Sequence, residues 1–198
     1  DMGLGKTLQV LTLIAHTRTT TDAPFLVVAP TSVVTAWQSE AARHAPGLRI
    51  RTITASQARR GETVSEVAQS ADVVVTTYTL LRLESDDYAS VDWGGLVLDE
   101  AQVVKNHQSK AYAAARMVPA PFRLVVTGTP FENRLLELWS LLSLVAPGLY
   151  PHPRAFTEHV VRPVEKLGDD AALRRFTQRI KPFLLRRTKE EVATELPA

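Results

Sequence analysis

The chain has 198 residues, 45% of them hydrophobic and 22% charged, with a net charge of +2. This is the composition of an ordinary globular domain, long enough to bury roughly 70% of its unfolded surface without a covalent staple. The absence of cysteine excludes a disulfide scaffold, a zinc finger and a thiol nucleophile. No apolar run approaches the roughly 20 residues that span a bilayer, and Asp1-Met2-Gly3 does not read as a signal peptide. The charge is uneven: residues 170–198 hold seven Lys/Arg against four Asp/Glu, and residues 1–169 hold sixteen against seventeen. A near-neutral total leaves room for a local phosphate-binding surface.

Taken in chain order, Thr7 to His16 predicts a helix, with Leu8, Leu11 and Ala15 at helical spacing. Phe25-Leu26-Val27-Val28-Ala29 is apolar throughout and predicts a strand buried on both faces. Ser32 to His44 places Val33, Val34, Trp37 and Ala41 on one helical stripe, with Thr31 or Ser32 as the expected N-cap. Arg49 to Ile53 alternates, as in a strand with one wetter face. The polar stretch 55–72 predicts a helix with loose ends. Val73 to Thr77, Leu96 to Asp99 and Leu124 to Thr127 repeat the doubly buried strand pattern. Glu132 to Ala146 predicts an apolar helix carrying Leu135, Leu138, Trp139 and Leu142. After Pro147-Gly148, helical stretches such as Asp170 to Ile180 predict an appendage, and Phe183-Leu184-Leu185 a short strand returning to the sheet. Strands alternating with helices make this an α/β fold, a parallel sheet sandwiched by helices. Trp37, Trp93 and Trp139 read as core residues. The five histidines lack paired metal spacing, so no zinc is expected, and Arg186-Arg187 with Lys189 reads as a solvated cluster.

Three motifs carry chemistry. Asp1-Met2-Gly3-Leu4-Gly5-Lys6-Thr7 closes as a P-loop closes. Glycines let backbone N–H groups approach phosphate, lysine reaches the β- and γ-phosphates, and the threonine hydroxyl binds Mg²⁺. The helix that follows points its positive end at the phosphates. The full eight-residue pattern needs one residue ahead of Asp1 and a strand before that, so the chain reads as a fragment beginning inside its loop. Leu96-Val97-Leu98-Asp99-Glu100-Ala101-Gln102 is an apolar strand ending in two carboxylates. In P-loop enzymes such an Asp holds Mg²⁺, and the adjacent Glu can deprotonate an attacking water. A lone Asp-Glu is more often a solvated strand end; Lys6-Thr7 upstream shifts the balance. Thr127-Gly128-Thr129-Pro130 is, by itself, a tight turn. Pro30-Thr31-Ser32 opens a helix with hydroxyls and N–H groups that can grip a nucleic-acid phosphate. Thr76-Thr77-Tyr78 alone reads as strand chemistry.

In this order, and with Glu132-Asn133, Glu137-Leu138-Trp139-Ser140 and Leu184-Leu185-Arg186-Arg187-Thr188-Lys189, the sequence resembles the Swi/Snf-type ATPases of helicase superfamily two, which are double-stranded DNA translocases. The resemblance implies a RecA-like P-loop lobe over 1–146, a family-specific helical protrusion over 147–182, and a segment 183–198 leading towards a second RecA-like lobe. It implies that Gly3, Leu4, Gly5, Lys6 and Thr7 hold ATP phosphates, and that Thr7 and Asp99 hold Mg²⁺. Asp99, Glu100 and Gln102 would be catalytic, with Gln102 coupling the γ-phosphate to Thr127, Gly128 and Thr129. Pro30, Thr31, Ser32, Thr76, Thr77 and Tyr78 would hold DNA phosphates. The implied partners are double-stranded DNA and the second lobe of the same parent chain, source of the arginine finger; no membrane is implied. The Asp-Glu-Ala-Gln variant and an excess of 17 Arg over 6 Lys fit a bacterial protein, intracellular in the cytoplasm or nucleoid. Two alternatives remain at this level: another P-loop enzyme such as a kinase or GTPase, without a DNA surface, and a binding module without chemistry.

Overall fold

The computed structural model describes residues 5–18, 20–128 and 134–187. They belong to two units, one running from Gly5 to Thr127 and one from Gly128 onward.

The first unit begins α1 (Lys6–Thr17), β1 (Phe25–Ala29), α2 (Thr31–His44), β2 (Ile50–Ile53), α3 (Gln57–Arg60), α4 (Val64–Gln69) and β3 (Val73–Thr77). It continues with α5 (Tyr78–Leu83), α6 (Ser85–Ala89), β4 (Gly95–Leu98), a 3-10 turn (Ala101–Val104), α7 (Lys110–Met117) and β5 (Phe122–Val125). The five strands form one sheet in the order β2-β3-β1-β4-β5, and every pairing is parallel. β1, β3 and β4 are buried at every position, which is why they read as unbroken apolar runs. β2 lies at an edge and is only half-buried over most of its length, which is why it alternates.

Successive side chains of a strand face opposite ways. Phe25, Val27 and Ala29 pack with Val10, Leu11 and Ile14 of α1 and with Val34, Trp37 and Ala41 of α2. Burying a side chain of this size contributes about 1.5–3 kcal/mol, so these stripes fix both helices on the sheet. Gly95 must lack a side chain, because a Cβ there would run into the Phe25 ring. At the start of β3, Asp72 joins Arg18 from the end of α1, at 2.7 Å, to Arg49 ahead of β2, at 2.9 Å. The carboxylate also accepts the Arg49 backbone N–H.

Three expectations for this unit change. β5 runs from Phe122 to Val125 at an edge of the sheet and is exposed or only half-buried, where Leu124 to Thr127 predicted a strand buried on both faces. The stretch 55–72 holds two short helices rather than one. Gly61, at φ 75°, ends α3, and Thr63 then starts α4 through a reciprocal cap with Glu66. The N-cap of α2 is Pro30, with no side-chain cap bond, and Thr31 is already the first helical residue.

The second unit contains α8 (Leu135–Val145), α9 (Pro153–Phe156), a π-helix (Thr157–Lys166), α10 (Asp170–Ile180) and a 3-10 turn (Lys181–Phe183). Leu138, Trp139 and Leu142 of α8 form its core with Phe156, Val160, Phe176 and Ile180. The Trp139 indole N–H donates to the Tyr150 carbonyl at 2.8 Å. The expected boundary after residue 146 therefore falls inside this unit, because α8 supplies the apolar surface on which the later helices pack. Phe183-Leu184-Leu185 is not a strand: Pro182 sits in the 3-10 turn and residues 184–187 are irregular. Proline offers no N–H to a ladder. Arg186 and Arg187 are exposed, and Lys189 lies outside the described residues. Among the described residues, no helix is long and apolar enough to cross a membrane.

Candidate nucleotide and nucleic-acid site

After β1 the chain goes to one edge of the sheet, and after β4 to the other. The crevice beyond the carboxyl ends of these neighbouring strands is where open parallel sheets bind ligands. The chemistry-bearing residues gather there. Gly5 caps α1 in the left-handed conformation, at φ 67° and ψ 32°, and among the described residues none beyond its own chain neighbourhood comes within 4 Å of where its Cβ would be. Lys6 and Thr7, both half-buried, open the 12-residue helix α1. The N–H groups of a first turn have no intrahelical partner and carry the positive end of the helix dipole, a setting for phosphate. Gly3 and Leu4 lie outside the described residues.

Asp99 follows β4 and is 6% exposed. Its Oδ2 accepts the Trp37 indole N–H at 2.8 Å, and its Oδ1 accepts the Glu100 backbone N–H at 2.9 Å. Burial raises its pKa above the usual carboxyl value, outweighing the two hydrogen bonds and the nearby Lys6 charge, which lower it. A buried carboxylate in this state is stabilised by a cation. The threonine hydroxyl of Thr7 and the carboxylate of Asp99 are hard oxygen donors of the kind Mg²⁺ takes, so the residues present fit that ion.

Glu100 is the only non-glycine residue with positive φ among the described residues, at φ 47° and ψ 54°. A left-handed conformation costs an L-residue about 1–2 kcal/mol, and such outliers gather at functional sites. Ala101 then donates its N–H to the Val126 carbonyl at 3.1 Å. That bond brings the exposed Gln102 and the half-buried Thr127 to either side of one backbone contact. Gly128 follows, half-buried, and Thr129 lies outside the described residues.

The two expected nucleic-acid segments behave differently. Pro30 precedes α2, and Thr31 and Ser32 are exposed at the N-terminus of this 14-residue helix, where hydroxyls and N–H groups can meet a phosphate. Thr76, Thr77 and Tyr78 are 0%, 5% and 6% exposed. The Thr76 hydroxyl is paired with Tyr88 at 2.7 Å, Thr77 accepts the Leu80 N–H as the cap of α5, and Tyr78 donates its O–H to the Asp99 carbonyl at 2.8 Å. Burial, together with the charges of Asp99 and Glu100, pushes the Tyr78 phenol well above its ordinary pKa, so it stays a donor. These three side chains are thus corrected from phosphate ligands to groups that tie the interior together. The roles of the Trp37 indole and Tyr78 hydroxyl escaped the sequence reading, since the first bond spans 62 positions and the second 21.

The SNF2-related domain model matches residues 1–198. The chain belongs to the SNF2-related domain family. This SNF2-related domain is 38% identical over its whole length to YwqA of Bacillus subtilis, and spans 22% of that relative. It is 38% identical over its whole length to the mouse chromodomain-helicase-DNA-binding protein 1-like, again spanning 22%. Against the TATA-binding protein-associated factor mot1 of Schizosaccharomyces pombe the identity is 34%, and the domain spans 11% of that protein. Among solved structures, the Sulfolobus solfataricus SWI2/SNF2 ATPase core in complex with dsDNA matches with a TM-score of 0.87 and 34% identity, covering 98% of this domain and 40% of that chain. The SNF2-related domain has the RecA-like α/β lobe architecture expected from its sequence.

Proposed function

We propose that this SNF2-related domain is the nucleotide-binding motor lobe of an ATP-dependent double-stranded DNA translocase. The observation that carries the reading is the grouping of Lys6, Thr7, Asp99, Glu100 and the exposed start of α2 beyond the carboxyl ends of the central strands. The solved relative bound to duplex DNA supports the choice of polymer. Lys6 and the first-turn N–H groups of α1 bind the β- and γ-phosphates of ATP. Thr7 and Asp99 would hold Mg²⁺, which would neutralise charge on the phosphate oxygens. Glu100 orients a water in line with the γ-phosphorus and accepts its proton as the P–O bond to ADP breaks. The turn carrying Gln102, tied to the end of β5, relays the state of the γ-phosphate to Thr127, Gly128 and Thr129. Thr31 and Ser32 hold a backbone phosphate of one DNA strand.

A second RecA-like lobe of the same protein would supply the arginine finger, worth about 10³–10⁵ in rate in P-loop enzymes. The domain alone is therefore expected to turn over almost no ATP. A motor acting on DNA would work inside the cell, with the genome, and the Asp-Glu-Ala-Gln variant favours a bacterial cytoplasm or nucleoid. The test is displacement of a triplex-forming strand from duplex DNA by the full-length protein. Displacement that needs Mg²⁺ and ATP and is lost in Glu100→Gln supports the reading. Mg²⁺–ATP hydrolysis without displacement on any duplex would refute it.

A further inference from the structure

Asp99 is held by side chains from two helices, α2, whose exposed start carries Thr31 and Ser32, and α5. Trp37 lies in α2, about 9 Å along the helix from Thr31 at its exposed end. Its indole is buried and donates to the carboxylate Oδ2 at 2.8 Å. Tyr78 is the first residue of α5, directly after β3. Ala29 pairs with Thr77 on one side of β1, and Val28 with Leu98 on the other. Tyr78 thus reaches across the end of β1 to donate to the Asp99 carbonyl at 2.8 Å. One segment therefore grips the carboxylate and the other the backbone of the same residue.

Resting on the motor reading above, we propose that Trp37 and Tyr78 are positioning residues, Trp37 tying the DNA-contacting helix α2 to the Asp99 carboxylate and Tyr78 anchoring the Asp99 backbone, so that DNA contact and Mg²⁺–nucleotide binding set one another's geometry. A shift of α2 as Thr31 and Ser32 take up a phosphate moves the indole N–H, and with it the oxygen it holds. α2 is a single 14-residue helix packed on the sheet through Val34, Trp37 and Ala41, so it moves as a body. Tyr78 fixes the other end of the same residue, which leaves carboxylate rotation as the response. Partners of metal ligands commonly carry a 10–100-fold share of metal affinity or activity.

The experiment uses the full-length protein and the variants Trp37→Phe and Tyr78→Phe. Affinity for a fluorescent, non-hydrolysable ATP analogue is measured in EDTA and in Mg²⁺, each with and without duplex DNA. The proposal expects wild-type affinity in EDTA. It expects the Mg²⁺-dependent gain to fall about 10–100-fold, with loss of the further change brought by DNA. Thr31→Ala should remove the DNA effect in the wild type and add nothing in Trp37→Phe, the mark of a shared path. Each variant deletes one hydrogen bond from a different helix, so one reports if the other fails to fold. Wild-type Mg²⁺ and DNA responses in both variants would overturn the proposal alone. A wild type indifferent to Mg²⁺ and DNA would overturn the motor reading with it.

Discussion

Glu100→Gly separates stability from catalysis at one residue. Glu100 sits at φ 47° and ψ 54°, a conformation that costs an L-residue about 1–2 kcal/mol and glycine nothing. Glycine gives back about 0.5–1 kcal/mol through its freer unfolded chain. The net expectation is a gain of about 0.5–1 kcal/mol in unfolding free energy. The same change removes the general base, whose loss typically costs 10²–10⁴ in rate. Glu100→Gln is the control: it removes the carboxylate but keeps the strained backbone, so it should lose turnover without gaining stability. Urea unfolding followed by tryptophan fluorescence reads the first effect, and DNA-stimulated ATP hydrolysis by the full-length protein reads the second. A glycine variant that is less stable than wild type, or that retains turnover, would refute the link between the left-handed backbone and the catalytic carboxylate.

Other outcomes follow from the packing. Hydrogen bonds from Arg49 first, and then Arg18, hold the Asp72 carboxyl down to about 2 against the opposing effect of burial. Its stabilisation is therefore present above the unfolded value near 4 and lost as pH falls through about 2. Discounting for the largely exposed Arg49, Asp72→Asn should cost about 2 kcal/mol at pH 7. Urea titrations should show that gap closing below pH 3; a gap that persists at pH 2 would count against the ion-pair account. Gly95→Ala should destabilise by about 1–3 kcal/mol by overpacking against Phe25, seen as a lower urea midpoint, and an unchanged midpoint would show that the ring moves freely aside.

The core strands were legible because β1, β3 and β4 are buried on both faces, and burial on both faces writes itself as an unbroken apolar run. The helix α2 was legible through its stripe, whereas α1 was placed correctly but its buried face is Val10, Leu11 and Ile14, with Leu8 and Ala15 exposed. α3 and α4 were missed as separate helices although Gly61 and the Thr63–Glu66 cap mark the break, because their polar residues form no stripe long enough to read. α5 and α6 hold six and five residues, too few to show a helical period. Lys6, Asp99 and Glu100 stood out because phosphate and metal chemistry needs those residue types in fixed local order. Trp37 was read correctly as core, yet its hydrogen bond to Asp99 depends on two elements meeting in space, which no local pattern records. The same holds for Tyr78: its position after β3 could be read, but not the inward turn of its hydroxyl. The unit boundary was misplaced because an apolar helix such as α8 shows that it is buried, not what it is buried against.

The central claim is that nucleotide chemistry at Lys6, Asp99 and Glu100 is coupled to duplex DNA. The most direct measurement is ATP hydrolysis by the full-length protein with and without duplex DNA, across a salt series, for wild type and Lys6→Ala. The account predicts hydrolysis that duplex DNA stimulates, that weakens as salt screens the phosphate contacts, and that Lys6→Ala abolishes. A rate indifferent to DNA at every salt concentration, or full turnover in Lys6→Ala, would contradict it.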